Sequence, residues 1–347
     1  MTHLPRPRYR PRIGVEIAYE AALVAAFVAG FGVIAAAESL AACVGGAAVM
    51  TVVTIHAILL FHDCMHQSAF GRRRLEGWIA RAIGAYYGCP FHFLRAEHLR
   101  HHRRAGLVED DPEALHLHAA DAARRPHGPL LARIANSAWD ALAYTWLLQL
   151  GQFARWIRGR AGRRDRELVR RTAVDVACIL ALWVPLTAFL VSRGAYARVL
   201  VWAFAVPAVV GLAVVYKAAK PLHTLMLPFR LTGVPYAPRQ LCVTRTFETH
   251  PLVALLLCNL NYHLEHHLYP HVSRWDLPRL AREIRPALEA YAAAHDLPLA
   301  IHDGYARWAR RYRAVASTYN PIGEWNRWAE LNRGFAYRSY HAPRGTR

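Results

Sequence analysis

Four stretches of the 347-residue chain are apolar for long enough to cross a bilayer. The first lies near 17–37, is free of charge from Ala21 to Ala37, and carries Glu20 near its start. The second, 40–61, reads LAACVGGAAVMTVVTIHAILLF and holds no charged residue. After a long polar interval come 176–192, VACILALWVPLTAFLVS, and 199–216, VLVWAFAVPAVVGLAVVY. Each has about the 17–25 residues that a helix needs to span a hydrocarbon core. Pro185 and Pro207 predict kinks in the last two, which membrane helices tolerate. Weaker apolar pieces near 78–94 and 129–154 are broken by charge or proline and read as helices lying in the interface. The run LVALLLCNL, 252–260, is too short to cross and reads as dipping into the membrane edge.

Charge orients these spans. Only a short turn with Glu38 and Ser39 separates the first two, and a few residues with Arg193 and Arg198 separate the last two. Arg6 to Arg12, the triplet Arg72–Arg74 and the arginine-rich stretch from Arg155 to Arg171 flank the other ends. The positive-inside bias therefore puts both termini and the 62–171 interval in the cytoplasm, with two hairpins hung from one face. Composition agrees: 54% hydrophobic residues, 19% charged, and a net charge of +19. A nucleic-acid binder shares the charge but has no use for long uncharged runs, so no nucleic-acid partner is expected. The six cysteines form no CxxC pair and read as packed thiols rather than a disulfide frame. The basic N-terminus lacks the apolar core and cleavage site of a signal peptide.

The chemistry lies in histidine. Of twenty histidines, eight fall in three tight groups: HDCMH (His62, His66), HLRHH (His98, His101, His102) and NYHLEHHLYP (His263, His266, His267). Residues three and four apart project from one side of a helix, so each group aims its rings at one region. Neutral imidazole is a good ligand for iron, copper and zinc. One such group alone is weak evidence, but three on the same predicted side are strong. Eight convergent nitrogens exceed the needs of one ion and suit two.

HDCMH, then HLRHH about thirty residues later, then NYHLEHHLYP after two further spans, resembles the membrane fatty acid desaturase superfamily over roughly residues 50–280. The LPRL segment after the third group resembles it as well. The resemblance implies a non-haem di-iron centre, two Fe ions held mainly by histidine, with O2 as co-substrate and electrons from an external donor. It also implies a further ligand between the fourth span and the last box, where KPLHTLMLPFR offers His223. Members of similar length often have Glu-His there; this chain has Leu222 before His223. The expected metal ligands are thus His62, His66, His98, His101, His102, His223, His263, His266 and His267. A ligating imidazole commonly donates its other N–H to a carboxylate or carbonyl, which makes Asp63 and Glu265 candidates to stand behind the rings. Some members use an asparagine through water, and Asn261 and Asn259 lie close by.

The other histidines read more plainly. His56 inside the second span is either a hydrogen-bonding group of the bundle or a functional one, and His92 precedes the second box by six residues. His250 and His271 read as supporting or surface groups, and His116, His118 and His127 as solvated loop residues.

The expected fold is an all-α integral membrane protein, four transmembrane helices in two hairpins with a cytoplasmic helical cap that carries the histidine boxes. Residues 1–13 read as a basic cytoplasmic N-terminus, 14–290 as the membrane desaturase-like domain, and 291–347 as a cytoplasmic or interfacial tail. The stretch 273–299 reads as an amphipathic helix closing over the site, and 306–335 as an interfacial helix or a docking face for the donor. The expected activity is oxygen-dependent desaturation of a fatty acyl chain carried as acyl-lipid, acyl-CoA or acyl carrier protein. A hydroxylase, ketolase or acetylenase of a fatty or carotenoid chain is the alternative on the same scaffold. A metal transporter is a third class, but it would string its ligands along the spans. With no His-Pro-Gly-Gly haem motif in the chain, a separate ferredoxin-like donor is expected, steered by the arginine-rich face, which also suits an acyl carrier protein. The same arginines equally suit anionic lipid headgroups. The expected location is a bacterial inner membrane, with the active site on the cytoplasmic side.

Overall fold

The computed structural model describes residues 4–5, 7, 9–107, 111–112, 149–158, 165–223, 235–297, 299–305 and 307. Most of the weak apolar piece at 129–154, together with His116, His118, His127 and the aromatic and arginine-rich stretch beyond 307, lies outside them. Along the chain run α1 (Ile13–Ala36), α2 (Leu40–His66), α3 (Arg73–Tyr87), α4 (Phe91–Arg104), α5 (Gln149–Arg158) and α6 (Arg166–Ser192). Then come α7 (Tyr196–His223), α8 (Tyr236–Val243), β1 (Thr246–Glu248), α9 (Pro251–Leu256), α10 (His263–Leu268), α11 (Leu277–Ala294) and β2 (Ile301–Asp303). Four of these, α1, α2, α6 and α7, are long and apolar enough to cross a membrane.

Helix α2 is the centre of the bundle. It packs against α1, α3 and α7, while α6 packs against α3 and α4. Small residues permit the close approaches: a Cβ at Gly46 would lie 2.6 Å from Ile34 Cγ1, and one at Gly211 would lie 2.8 Å from Thr54 Cγ2. The outer helices leave Val24, Val28, Leu180, Val184 and Phe189 exposed, apolar surface that only lipid solvates cheaply. Ser39 ends the first turn between spans, its hydroxyl accepting the Ala42 N–H at 3.2 Å. In the second turn, Arg198 donates to the carbonyls of Ala35 (2.5 Å) and Ala37 (2.8 Å) at the end of α1. One guanidinium thereby satisfies orphan carbonyls of one hairpin from the other, and both turns lie at the end of the molecule away from the histidines.

The proline in the fourth span acts through hydrogen bonding. Pro207 has no N–H to offer the Ala203 carbonyl four residues back. The chain widens into a π-helical segment at Leu200–Ala205, and the freed Ala203 carbonyl accepts the Tyr86 hydroxyl at 2.8 Å. Two helices also outrun their apolar windows. Helix α6 starts at Arg166, where Asp165 accepts the Leu168 N–H at 2.9 Å, and α7 continues to His223. Charges end a hydropathy window, but they do not end a backbone hydrogen-bond ladder. The extension of α7 carries His223 to the other histidines.

The expected interfacial stretch near 78–94 is two helices, α3 and α4, divided at Gly88–Pro90, where Gly88 takes φ +70°. The 252–260 run forms only the short α9 and leaves Leu252 and Leu255 exposed. Helix α11 buries Leu277, Leu280, Ile284 and Leu288 at helical spacing against Leu241, Leu264 and Val272, and so packs on the third histidine group. Strands β1 and β2 pair in parallel, with Thr246 opposite Ile301 and Glu248 opposite Asp303, and an antiparallel bridge joins Thr246 to Tyr262 beside the third box. All six cysteines are free thiols.

Candidate metal centre

Consecutive residues on a helix point about 100° apart, so i+3 and i+4 cannot both aim where i aims. The two HxxHH segments use this splay. From α4, His98 and His102 turn to one side and His101 to the other; from α10, His266 joins the first set and His267 the second. His62 and His66, one turn apart at the end of α2, complete a set of five with His98, His102 and His266. His101, His223 and His267 form the second set, with donor atoms in each set within 4.8 Å of one another. His263 joins the second set, its Nε2 lying 2.8 Å from Nε2 of His223. The sets adjoin, for the rings of His102 and His267 stack 4.0 Å apart. All nine expected ligands therefore converge.

Ring orientation is fixed from behind. The Val243 carbonyl can only accept, so His223 donates from Nδ1 at 2.9 Å and turns an unprotonated Nε2 inward. The Gln240 amide donates to the His102 carbonyl at 3.0 Å, which leaves its oxygen to accept from His267 Nδ1 at 2.9 Å. The buried Asp111 carboxylate accepts from His101 Nδ1 at 2.8 Å and from the Gly106 N–H at 2.9 Å. Asp111 and Gln240 carry no motif, and the sequence reading missed both. The nearest signal was their polarity in segments that border the boxes.

The three candidates named from sequence sit differently. Asp63 lies 3.4 Å from His62 Nδ1 and 3.6 Å from the Arg274 guanidinium. Glu265 is buried and accepts the Thr246 hydroxyl. Asn261 donates to the Phe247 carbonyl at 2.8 Å. Neither Glu265 nor Asn261 is hydrogen-bonded to an imidazole; both instead tie β1 to the third box. Asn259, at φ +60°, donates to the Arg274 carbonyl at 2.9 Å. His56 stays within the bundle, 2.8 Å from the Tyr19 hydroxyl and 3.2 Å from Cys258 Sγ. His92 pairs with Asp175 at 3.0 Å, away from both sets. His250 caps α9 by accepting the Leu252 N–H at 3.2 Å, and His271 is exposed.

Beneath Asp63 lies a polar cluster that the sequence showed only as Glu20 near the start of a span. Arg274, fully buried, donates to Glu16 and Glu20 at 2.5 Å each, and the Trp275 indole donates to Glu16. It joins the base of α1 to the loop after the third box.

The nitrogens fit metal. Nε2 of His66 and of His102 lie 2.9 and 3.1 Å from Nε2 of His98. Two imidazoles bound to one ion at about 2.1 Å each and at right angles have their nitrogens roughly 3.0 Å apart. Nε2 of His266 and of His267 are buried with no hydrogen-bond partner, an arrangement that costs free energy unless something accepts the lone pair. Burial, and then the repulsion each ring would meet from charged neighbours, holds His102, His263, His266 and His267 well below the ordinary histidine pKa. Those rings are neutral at pH 7, the form that binds metal.

The sequence profile of the Fatty acid desaturase family matches residues 37–298, which contain both sets of histidines and three of the four spans entirely. A comparison with curated proteins finds no match. With three-quarters of its length covered by that profile, and with the histidines gathered at one end of a four-span bundle, the chain belongs to the fatty acid desaturase family.

Proposed function

We propose that the protein catalyses oxygen-dependent desaturation of a fatty acyl chain at two irons held by its histidines. The observation that carries this reading is the division of nine rings into two adjoining sets. In it, His62, His66, His98, His102 and His266 hold one ion, and His101, His223, His263 and His267 hold the other. The bound irons supply oxygen activation and removal of hydrogen from an unactivated carbon, which side chains alone cannot do. The protein's own residues prepare the site. The helices set ring direction, Asp111, Gln240 and the Val243 carbonyl hold the tautomers, and burial keeps bulk water from His101, His102, His263, His266 and His267. Asp63 is the acid closest to His62 and serves the same end there. Glu265 and Asn261 act one step further out, through β1.

Residues 14–290 form the catalytic unit in this reading, with 1–13 and 291–347 as its cytoplasmic flanks. In this reading the protein sits in a bacterial inner membrane with its histidine end toward the cytoplasm, the side that the arginine-rich flanks favour. There a separate ferredoxin-like donor, often acidic, delivers electrons, and acyl-lipid, acyl-CoA or acyl carrier protein brings the chain. Expression in a bacterium without desaturases, followed by mass spectrometry of lipids with double-bond location, tests the reading. Desaturation removes two hydrogens from a chain; hydroxylation adds one oxygen. The expected product is unsaturated and vanishes when any one of the nine ligands is changed to Ala. Lipids, thioesters and carrier-bound chains all left unchanged would overturn it.

A further inference from the structure

A cavity of about 400 Å³ lies among α3, α4 and α6, and none of the nine histidines lines it. Arg73, Arg74, Arg81, Arg95, Arg170 and Arg171 line it. Two carboxylates answer these six cations. Asp175 pairs with Arg81 at 2.8 Å and is shared with His92, while Glu167 pairs with Arg170 and Arg171 at 2.9 and 2.6 Å. Glu76 is near but committed, accepting the backbone N–H groups of Phe70 and Arg72 at 2.9 and 3.2 Å. Arg73 and Arg74 form no ion pair among the described residues, and Arg95 spends its Nε on the Met65 carbonyl at 2.8 Å. Burial, then the nearby Arg73 and Arg171, hold the Arg95 guanidinium below the ordinary arginine pKa. Asp175 and Glu167 thus answer Arg81, Arg170 and Arg171, while Arg73, Arg74 and Arg95 converge on the same space without an ion pair of their own among the described residues.

Depth and shape say what fills it. Arg170 and Arg171 stand just before the apolar part of α6, and Val174 lines the cavity below them. Trp78, largely exposed, lies under Arg81 with the guanidinium carbon 4.7 Å from the ring centre. A tryptophan and arginines at the edge of an apolar belt mark headgroup depth. Guanidinium forks match phosphate oxygens two at a time. Cys64, set between His62 and His66, also lines the cavity, so an occupant's head lies beside the end of α2 that supplies the first two ligands.

We propose that this cavity binds the phosphate of a membrane phospholipid. The site rests on the cavity and its arginines. Only the further step, that the lipid held there presents the reacting chain, rests on the desaturase reading. Purified full-length protein is titrated with phosphatidylglycerol and followed by native mass spectrometry, with coenzyme A in parallel as a water-soluble phosphate ester. Phosphatidylglycerol is expected to bind saturably, at least tenfold more weakly to R73Q/R74Q, and equally well to R158Q, which changes an exposed arginine outside the cavity. Arg73 and Arg74 are themselves exposed, so the double variant keeps its fold, which its thermal unfolding checks. R95Q probes the same space from α4 and is expected to weaken binding too.

Equal binding by wild type, R73Q/R74Q and R95Q would overturn the site. Displacement of the lipid by coenzyme A would overturn the bilayer source and assign the phosphate to a soluble carrier. In cells, R73Q/R74Q is expected to lower unsaturation of phospholipid chains several-fold. Weakened binding with unchanged products would keep the site and overturn its link to substrate. Saturable binding with no lipid product from the wild type would keep the site while the desaturase reading fails.

Discussion

Changing Arg274 to Met removes one cation from a place where three carboxylates depend on it. The Arg274 side chain is 1% exposed, Glu16 0% and Glu20 18%, with both hydrogen bonds at 2.5 Å and Asp63 at 3.6 Å. Methionine fills much of the same volume, so packing changes little and charge changes most. Breaking a buried ion pair by deleting one partner costs about 3–5 kcal/mol, because the remaining charge is left without its counter-ion. At roughly 1.4 kcal/mol per decade, the ratio of folded to unfolded protein falls by about two to three and a half orders of magnitude. The cost arises from stranded carboxylates rather than lost contacts, so the triple change R274M/E16Q/E20Q should recover more than half of it. That recovery separates an electrostatic role from a steric one. Denaturant unfolding in detergent, followed by tryptophan fluorescence, measures both variants. An R274M midpoint equal to wild type, or a triple variant less stable than R274M, would refute the argument.

Three further outcomes follow from the same geometry. Gln240→Leu leaves His267 without its acceptor and the His102 carbonyl without its donor; metal affinity should fall about 10–100-fold by chelator competition. In metal-free protein, His102, His263, His266 and His267 have pKa values lowered from 6.5, so below that pH the unfolded chain binds more protons than the folded one. Stability should be flat above about pH 6.5 and fall as pH drops toward the lowered folded values, and a flat unfolding midpoint from pH 7.5 to 5 would count against it. Gly46→Leu drives a side chain into Ile34 at the α1–α2 contact and should cost about 1–3 kcal/mol by thermal unfolding. Gly45→Leu, where a Cβ meets nothing within 4 Å, should stay near wild type.

The gathering of the histidines was legible because spacing and residue type coincide: HxxHH on a helix declares both the residue type and the direction of its rings. The spans were legible because a hydrocarbon core demands length and apolarity. Their ends were not. Helix α7 runs seven residues past its apolar window, about 10 Å at 1.5 Å per residue, and that extension is what delivers His223. Asp111 and Gln240 were hidden for a different reason. They are ordinary polar residues ten and twenty-seven positions from the rings they serve, and only folding makes them neighbours. Glu265 illustrates the converse. Its place inside HLEHH suggests an imidazole partner, yet the helix that turns His266 and His267 inward turns Glu265 toward Thr246. Arg274 combines both difficulties, since its partners lie some 250 residues earlier in the first span.

In the proposed reading, an all-histidine cage also explains how the site forms before metal arrives. Carboxylates brought as close as these nitrogens cannot all ionise, so a carboxylate cage must hold protons or stay apart until ions bind. Neutral imidazoles carry no such penalty, and here three Nε2 pairs already approach to 2.8–3.1 Å. What remains is lone-pair repulsion and unsatisfied nitrogen, and both are relieved by the ion. Preorganised ligands lose little order on binding, which favours affinity. The same burial that keeps His102, His263, His266 and His267 neutral lets the cage withstand modest acidification, because protons must enter a buried space already disfavoured for charge. Acid should therefore release metal only well below the ordinary histidine range, and release near pH 6.5 in a titration of loaded protein would show that the rings are more open to water than this packing allows.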